Sequence, residues 1–198
     1  MKVPDSGMPE ESYWNSLFDI PHIIEWLELH SVHASIVEVG SGYGTFAVPV
    51  AKQATGIVHA FDIEPSMIDA AQGNAQRAGI QNVLFKLRDV CEHGTGLPAM
   101  SVGLVLLFNI LHFEQKRILL EEADRVLTPG GRVAIIHWRK DIETPRGPRQ
   151  DLRPDQQIIF DSILGLDLHF EGNTRILEPY HWGIQLNKGR LDADGHRE

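Results

Sequence analysis

Cysteine is nearly absent from this chain of 198 residues, which contains Cys91 and no other. One thiol cannot form an internal disulfide or supply a zinc cluster, and so low a content is typical of a reducing compartment. Long apolar runs are also absent, because no window approaches the roughly 18 residues that a membrane-spanning helix needs. The first residues carry prolines and acids where a signal peptide would need an apolar core. We therefore expect a cytoplasmic protein with no membrane partner.

Basic residues are scarce as well, since 18 lysines and arginines face 27 aspartates and glutamates, for a formal net charge of −9. A surface of this charge repels a phosphate backbone, which argues against a nucleic-acid partner. The hydrophobic content of 42% is enough for one domain with a substantial core. We expect one fold that carries one site.

Short apolar runs rich in β-branched residues alternate with helical patterns along the chain. Strands are predicted at 36–39, 57–61, 83–87, 102–108 and 132–137. One of the helices between them begins after Ser66, a suitable N-cap, and stops at Gly79. Two further strands near the C-terminus, joined by the turn-like EGNTR, predict an antiparallel edge hairpin. The whole predicts an α/β fold: a doubly wound, Rossmann-like seven-stranded sheet, mostly parallel, with helices on both faces.

The segment IVEVGSGYGTFAV places three glycines directly after the first strand. Gly40, Gly42 and Gly44 allow a tight turn and let the backbone approach a ligand, and Asp62 closes the second strand at a distance suited to a ribose hydroxyl pair. Thr45 stands where the dinucleotide fingerprint G-x-G-x-x-G needs its third glycine, and no G-K-[ST] follows. A nicotinamide-dependent oxidoreductase is therefore a weak alternative to a protein that binds an adenosyl ligand.

Four ordered segments, EVGSGYG, VHAFDIEPSMIDAAQ, FKLRDV and RVLTPGGRVAI, resemble the motifs of the class I S-adenosylmethionine-dependent methyltransferases, in their small-molecule, type 11-like branch. The resemblance implies S-adenosyl-L-methionine as the cofactor and no metal. It also implies that Glu38 attracts the amino group of the cofactor and that the glycines approach its amino-acid moiety. The expected cofactor-binding residues are Glu38, Gly40, Ser41, Gly42, Gly44, Asp62, Ile63, Met67, Asp89, Val90 and Asn109.

Individual members of this set have simpler interpretations. Asp62 would take the ribose hydroxyls, and Ile63 and Met67 would contact adenine, but Met67 would also suit the core. Asp89 would face the adenine amino group, although an aspartate at that place also suits a turn.

Methyl transfer needs a positioned acceptor, and a general base only where the acceptor arrives protonated. His112 follows the fourth predicted strand, His137 ends the fifth, and His181 lies in the final hairpin. Each is a candidate general base or substrate contact, because histidine accepts a proton near neutral pH. The alternative for each is a structural hydrogen bond.

The segment 139–154 carries five basic residues against three acids, although the chain as a whole is acidic. A basic loop above the active-site end suggests capture of a carboxylate or phosphate, with Arg146 and Arg149 as the contacts. The alternative is a solvated loop whose charges pair with one another. Tyr13 and Trp14 either line the substrate cavity or anchor the N-terminal residues to the sheet.

We expect one methyltransferase domain over residues 1–198. Its parts are a helical N-terminal lid (1–30), a cofactor-binding core (31–137), a substrate loop with a helix and the edge hairpin (138–187), and a disordered tail (188–198). The predicted function is methyl transfer from S-adenosylmethionine to a small acceptor, and an anionic one if the loop captures it. A non-catalytic module that binds S-adenosylmethionine or S-adenosylhomocysteine remains open, as do the acceptor atom and the oligomeric state.

Overall fold

The computed structural model describes residues 7–190, so residues 1–6 and 191–198 lie outside the described part. The described residues form eight strands and seven α-helices. The strands are β1 (Ser35–Val39), β2 (Val58–Asp62), β3 (Val83–Leu87), β4 (Val102–Phe108), β5 (Leu127–Trp138), β6 (Leu168–Phe170), β7 (Arg175–Leu177) and β8 (His181–Lys188). The helices are α1 (Glu11–Asn15), α2 (Ile20–Trp26), α3 (Ala47–Gln53), α4 (Pro65–Arg77), α5 (Val90–His93), α6 (Arg117–Val126) and α7 (Gln156–Ser162).

The strands form one sheet in the order β3-β2-β1-β4-β5-β8-β6, and β7 also pairs with β8. Strands β1 to β5 pair in parallel, whereas β8 runs antiparallel to β5. The chain moves outward from β1 to β3 and then crosses back to β4, so the strand order reverses between β1 and β4. The predicted doubly wound, mostly parallel sheet is confirmed, with eight strands in place of seven.

Two hydrophobic layers cover the two faces of the sheet. Successive residues of β1 show the alternation, because Ile36 packs into the layer with α2 and α3, and Val37 into the layer with α6 and α7. Both faces are thus buried, which explains why β4 is a continuous apolar run rather than an alternating one. Within residues 7–190 no helix is long and apolar enough to cross a membrane.

The predicted antiparallel hairpin is present at the C-terminal edge, but its turn lies at a different place in the chain. Both β6 and β7 lie antiparallel along β8, with Phe170 opposite Leu186 and Arg175 opposite Gly183. The four residues between β6 and β7 lie opposite only two residues of β8. The segment EGNTR is therefore a break between two short strands that run in the same direction along β8, and the chain does not reverse there. The reversal comes later, between Leu177 and His181.

Two other predicted boundaries also differ. Helix α4 begins at Pro65 with Glu64 at the N-cap, so the cap lies two residues before the predicted cap, Ser66. Proline suits the first helical position because its φ is already helical and its missing N–H needs no partner there. The predicted tail falls mostly outside the described residues, but Lys188 ends β8, and its Nζ lies 2.8 Å from Asp124 Oδ1.

Candidate functional site

A cavity of about 460 Å³ opens at the carboxyl ends of the parallel strands, where the strand order reverses. Its walls come from the loops after β1, β2, β3 and β4, from the N-terminal segment and from the loop after β5. This is the position at which doubly wound sheets bind ligands. The wall includes these expected site residues: Trp14, Gly40, Ser41, Gly42, Asp62, Ile63, Met67, Asp89, Val90, Asn109, His112 and Arg146.

The glycine loop after β1 needs its glycines for two different reasons. Gly40 and Gly42 have φ of +78° and +51° and lie on the cavity wall, where the bare backbone faces the ligand space. Gly44 has φ of +76° and lies behind the wall. A Cβ on Gly44 would come 3.3 Å from both Ala71 and Phe85, so this glycine lets the loop pack on α4 and β3.

Asp62, the last residue of β2, ties the glycine loop to the start of the next helix. Its Oδ2 accepts a hydrogen bond of 2.8 Å from the backbone N–H of Gly42, and its Oδ1 accepts one of 3.0 Å from that of Glu64. The carboxylate is held in one orientation on the cavity wall, and each oxygen keeps a further lone pair. It can accept from the two hydroxyls of a ribose.

Three buried polar atoms on the wall have no partner among the described residues: the Oγ of Ser41 and both the Nδ2 and Oδ1 of Asn109. Buried polar groups normally form hydrogen bonds, because leaving one unpaired is unfavourable. Asn109 also has φ of +57°, an uncommon conformation that turns the chain directly after β4. A donor and an acceptor together suit a ligand that carries both an amino group and a carboxylate.

Glu38 lies behind the cavity wall, although a direct contact with the cofactor was expected of it. The residue is 1% exposed, and its Oε2 is unpartnered among the described residues. Burial, reinforced by the charge of Asp62, raises the pKa of Glu38 well above its usual range, and a hydrogen bond from the backbone of Ala47 opposes this. The contact with Ala47 joins β1 to the first turn of α3, so in this structure Glu38 shapes the glycine loop.

The far end of the cavity, after β2 and β3, is a slot with apolar walls. Ile63, Met67 and Val90 line it. Asp89 lines it as well, and also caps α5 by accepting from the backbone N–H groups of Cys91 at 3.0 Å and Glu92 at 3.2 Å. Asp89 can therefore both line the site and stabilise the turn that begins α5. A flat heterocycle such as adenine fits a slot of this kind.

Of the three candidate histidines, His112 alone is part of the described cavity wall. His137 is fully buried behind it, with its Nε2 3.3 Å from the Nδ1 of His112. Burial, with the nearby His112, holds the pKa of His137 well below its usual range. No group of three or more metal-ligand side chains occurs within residues 7–190.

His181 lies in the core and does not line the cavity. Its ring stacks on Phe18 with centroids 4.4 Å apart and lies 4.2 Å from Trp138. Burial, with a smaller effect from the charge of Arg153, lowers the pKa of His181 to about 3. A strand at the sheet edge was expected to aim this ring at the substrate, but β8 is an interior strand, and the ring is enclosed.

The N-terminal segment covers one side of the cavity. Gly7, Met8 and Trp14 line it, whereas Tyr13 is 41% exposed and lies outside the wall. The hydroxyl of Tyr43 in the glycine loop donates to the carbonyl oxygen of Pro9 at 2.7 Å. These contacts hold the segment across the glycine loop.

The basic loop after β5 meets this N-terminal segment. The Nη2 of Arg146 lies on the cavity wall and donates to the carbonyl oxygen of Gly7. Arg149 instead pairs with Asp151, its Nη2 lying 2.6 Å from Oδ2, with 72% of its side chain exposed. This difference arises because Arg149 has an acidic residue two positions away in the chain. The two side chains pair locally, so the guanidinium of Arg149 does not extend to the site.

Arg153 has a structural role that its sequence context did not reveal. It is 5% exposed and donates to the carbonyl oxygens of Pro148 at 2.8 Å and Arg139 at 2.6 Å, and to the Oγ1 of Thr144 at 2.7 Å. Burial lowers its pKa. The guanidinium thus folds the loop 139–153 around itself and sets the position of Arg146.

Sequence reasoning also missed Phe61, next to Asp62, and three more distant aromatic residues of the wall, Phe46, Phe108 and Trp138. These three come from the start of α3, the end of β4 and the end of β5. They are separated by 62 and 30 residues in the chain, and no sequence motif has this spacing. The sequence could have indicated them only because each lies near the end of a strand or the start of a helix.

The sequence pattern of a family described as a methyltransferase domain matches residues 30–164, about two thirds of the chain. Aklanonic acid methyltransferase DauC of Streptomyces sp. (strain C5) is 29% identical over 50% of this chain and 46% of its own length. Ribosomal protein L11 methyltransferase of Dechloromonas aromatica is 30% identical over 57% of this chain and 35% of its own length. The chain thus spans less than half the length of these curated relatives.

A crystal structure of a SAM-dependent methyltransferase from Aquifex aeolicus has the same fold, with a TM-score of 0.76 and 22% identity. The match covers 90% of this chain and 94% of that one. The order of the strands, the glycine loop beside Asp62 and the family match agree with one another. The chain belongs to the class I S-adenosylmethionine-dependent methyltransferases.

Proposed function

We propose that this chain binds S-adenosylmethionine in the cavity and transfers its methyl group to a small, anionic acceptor by in-line attack. The observation that carries the proposal is that one cavity has two chemically different ends. The glycine loop and Asp62 follow β1 and β2, whereas His112 and Arg146 follow β4 and β5, on the other side of the point where the strand order reverses. The first suits an adenosyl amino acid and the second suits an acid.

The residues present fit the cofactor. Asp62 would accept from the ribose hydroxyls, and the unpartnered groups of Ser41 and Asn109 would bind the amino-acid moiety beside the bare backbone of Gly40 and Gly42. The slot of Ile63, Met67 and Val90 would hold adenine, with Asp89 at its edge. Glu38 would act indirectly, by holding the loop.

When bound, S-adenosylmethionine supplies a methyl group on a positively charged sulfur. The chain has to align the acceptor and exclude water. An acceptor that arrives protonated would pass its proton to His112 on the cavity wall. His137, held neutral by burial, supports His112 from behind.

The size and enclosure of the cavity favour a small acceptor. Its volume of about 460 Å³ is within the lower part of the 300–1,000 Å³ range of sites that hold one drug-sized ligand. Cofactor and acceptor must share this space, and Arg146 and Gly7, which contact each other, both lie on its wall. DauC, named for an acid, supports this class of acceptor, whereas the ribosomal protein methyltransferase favours a protein side chain.

Calorimetry and a methyl-transfer screen test the proposal in sequence. Titration of the full chain with S-adenosylmethionine and S-adenosylhomocysteine should show binding of both, and binding of neither would reject it. A screen with labelled S-adenosylmethionine over thiols, phenols, amines and carboxylates should then label a small acid. Binding without any transfer would favour the non-catalytic module.

A further inference from the structure

The acceptor end of the cavity is lined by aromatic rings from four separate elements. Trp14 comes from α1, Phe46 precedes α3, Phe108 ends β4 and Trp138 ends β5. We call these four side chains the aromatic chamber. Phe46, Phe108 and Trp138 are 4%, 5% and 1% exposed, so they form the buried base of this wall, and the partly exposed Trp14 offers the accessible ring.

The rings of the chamber are fixed by one another and by a residue behind them. Phe46 and Phe108 meet edge to face, with centroids 4.9 Å apart and planes at 88°. Phe18 packs behind the chamber, with its centroid 4.9 Å from that of Trp14 and 5.1 Å from that of Phe46. Edge-to-face packing of this kind restricts ring rotation, so these walls are formed before a ligand arrives.

Trp138 is held from the side of the basic loop. Gly147 lies against its indole ring so closely that a Cβ at Gly147 would be 2.8 Å from two ring atoms. The neighbouring Arg146 is therefore carried to the same end of the cavity as Trp138. Trp138, which ends β5, and Arg146, in the loop that follows it, are therefore held together.

Charge is divided between the two ends of the cavity. The carboxylates on the described part of the wall, Asp62, Glu64 and Asp89, follow β2 and β3 at the cofactor end. Arg88 also follows β3, but its guanidinium is held at 2.6 Å by the carbonyl oxygens of His93 and Gly94. Arg146 donates one of its five N–H groups to a neutral carbonyl, that of Gly7.

We propose that the acceptor is a planar aromatic acid that packs its ring against the aromatic chamber, over Trp14, and pairs its carboxylate with Arg146. This inference rests on the proposed function and specifies its substrate class. A carboxylate binds a guanidinium more strongly than a carbonyl does, so the ligand replaces Gly7 as the partner of Arg146. His112, on the same wall, receives the proton of a ring hydroxyl, since a phenol is protonated at neutral pH.

Matched probes separate the contributions of the ring and the acid. We propose calorimetric titration of the full chain, saturated with S-adenosylhomocysteine, with 3-hydroxy-2-naphthoate, with the saturated decahydro-2-naphthoate and with 2-naphthol. The aromatic acid should bind at least tenfold more tightly than either of the others. Equal binding of the saturated acid would overturn the role of the chamber, and equal binding of 2-naphthol would overturn that of Arg146.

Failure of this inference can be told apart from failure of the proposed function. If S-adenosylhomocysteine does not bind, the proposed function is wrong; if it binds and none of the three probes does, only the substrate class is wrong. The second outcome overturns the inference even where the labelled screen finds another acceptor.

Two arginine variants provide the control within the chain. Arg146→Ala should abolish the preference for 3-hydroxy-2-naphthoate over 2-naphthol and leave the affinity for S-adenosylhomocysteine unchanged. Arg149→Ala, which removes a guanidinium paired with Asp151 outside the wall, should keep the preference. If Arg146→Ala weakens the binding of S-adenosylhomocysteine as much as that of 3-hydroxy-2-naphthoate, then Arg146 binds the carboxylate of the cofactor. That result would overturn the inference.

Discussion

The Nε2 atom of His137 lies 3.3 Å from the Nδ1 atom of His112, and of the two rings only that of His112 reaches the cavity wall. Burial keeps the pKa of His137 well below its usual range, so this ring stays neutral at neutral pH. If the proton of His112 is on Nδ1, a neutral His137 accepts that N–H through its Nε2, and the Nε2 of His112 is the basic atom. His137 is thus placed as a positioning residue for His112.

Replacement of His112 should lower turnover more than it weakens binding. We expect His112→Gln to reduce kcat for a phenolic acceptor by about 10²-fold or more, with a KM changed only a few-fold, because general bases contribute on that order. The measurement is a steady-state methyl-transfer assay with the acceptor that the labelled screen identifies. His181→Phe is the matched control, since His181 lies in the core. Equal activity of His112→Gln and the wild type would exclude His112 as the base.

The same buried histidines should make stability depend on pH. The pKa of His181 is lowered to about 3 and that of His137 also lies well below its usual range, whereas in the unfolded chain both titrate near 6.5. Below about pH 6.5 the unfolded state therefore binds more protons, and the free energy of unfolding should fall by about 1.4 kcal/mol per pH unit for each histidine.

Urea unfolding of the wild type and His181→Phe between pH 7 and pH 5 measures this effect. The variant retains an aromatic ring against Phe18 but cannot be protonated. Its free energy of unfolding should fall less steeply with decreasing pH, by about 1.4 kcal/mol per unit. Parallel curves for the two proteins would show that His181 does not remain neutral in the fold.

Asp62 should contribute to cofactor affinity both directly and through the glycine loop. In Asp62→Ala, the backbone N–H groups of Gly42 and Glu64 lose their acceptors, and the ribose hydroxyls lose theirs. Loss of such charge-assisted bonds corresponds to about 1.5–3 kcal/mol each, so affinity for S-adenosylhomocysteine should fall at least about tenfold by calorimetry. Asp69→Ala, which removes an exposed carboxylate on α4, is the control and should bind normally.

The sequence was informative where neighbouring residues determine the conformation. The glycine loop and Asp62 could be placed because a strand, a turn and a helix follow one another within a few residues, and the physical demands of each leave a local pattern. The roles of Arg149 and Arg153 could not be separated in the same way. Both are arginines of one loop, and only the fold shows that one pairs with Asp151 in solvent and the other is enclosed by carbonyl oxygens.

The aromatic chamber illustrates the same limit over a longer distance. Trp14 and Trp138 lie 124 residues apart in the chain, yet their ring centroids are 6.3 Å apart. Each aromatic residue alone is consistent with the core, and only the fold shows that all four also line one cavity.

Arg153 should be irreplaceable by lysine. Its Nε, Nη1 and Nη2 each donate to a different oxygen, and the single ammonium of lysine cannot reach all three. Buried oxygens left unpaired should lower the free energy of unfolding by about 2 kcal/mol or more in Arg153→Lys. Arg149→Lys, in an exposed ion pair, should change it by less than about 1 kcal/mol in the same urea experiment. Equal effects of the two substitutions would contradict the central position of Arg153 in the loop.

Gly147 and Gly165 allow the contact with Trp138 to be isolated from backbone strain. Both have positive φ, of +107° and +81°, so alanine is strained at either position. A Cβ at Gly165 would meet nothing within 4 Å, whereas one at Gly147 would strike the indole of Trp138 at 2.8 Å. Gly165→Ala should therefore lower the free energy of unfolding by about 1 kcal/mol, and Gly147→Ala by more. Because the clash displaces the loop that carries Arg146, Gly147→Ala alone should also weaken binding of 3-hydroxy-2-naphthoate. Equal destabilisation and unchanged acid binding in both variants would show that the loop does not depend on its contact with Trp138.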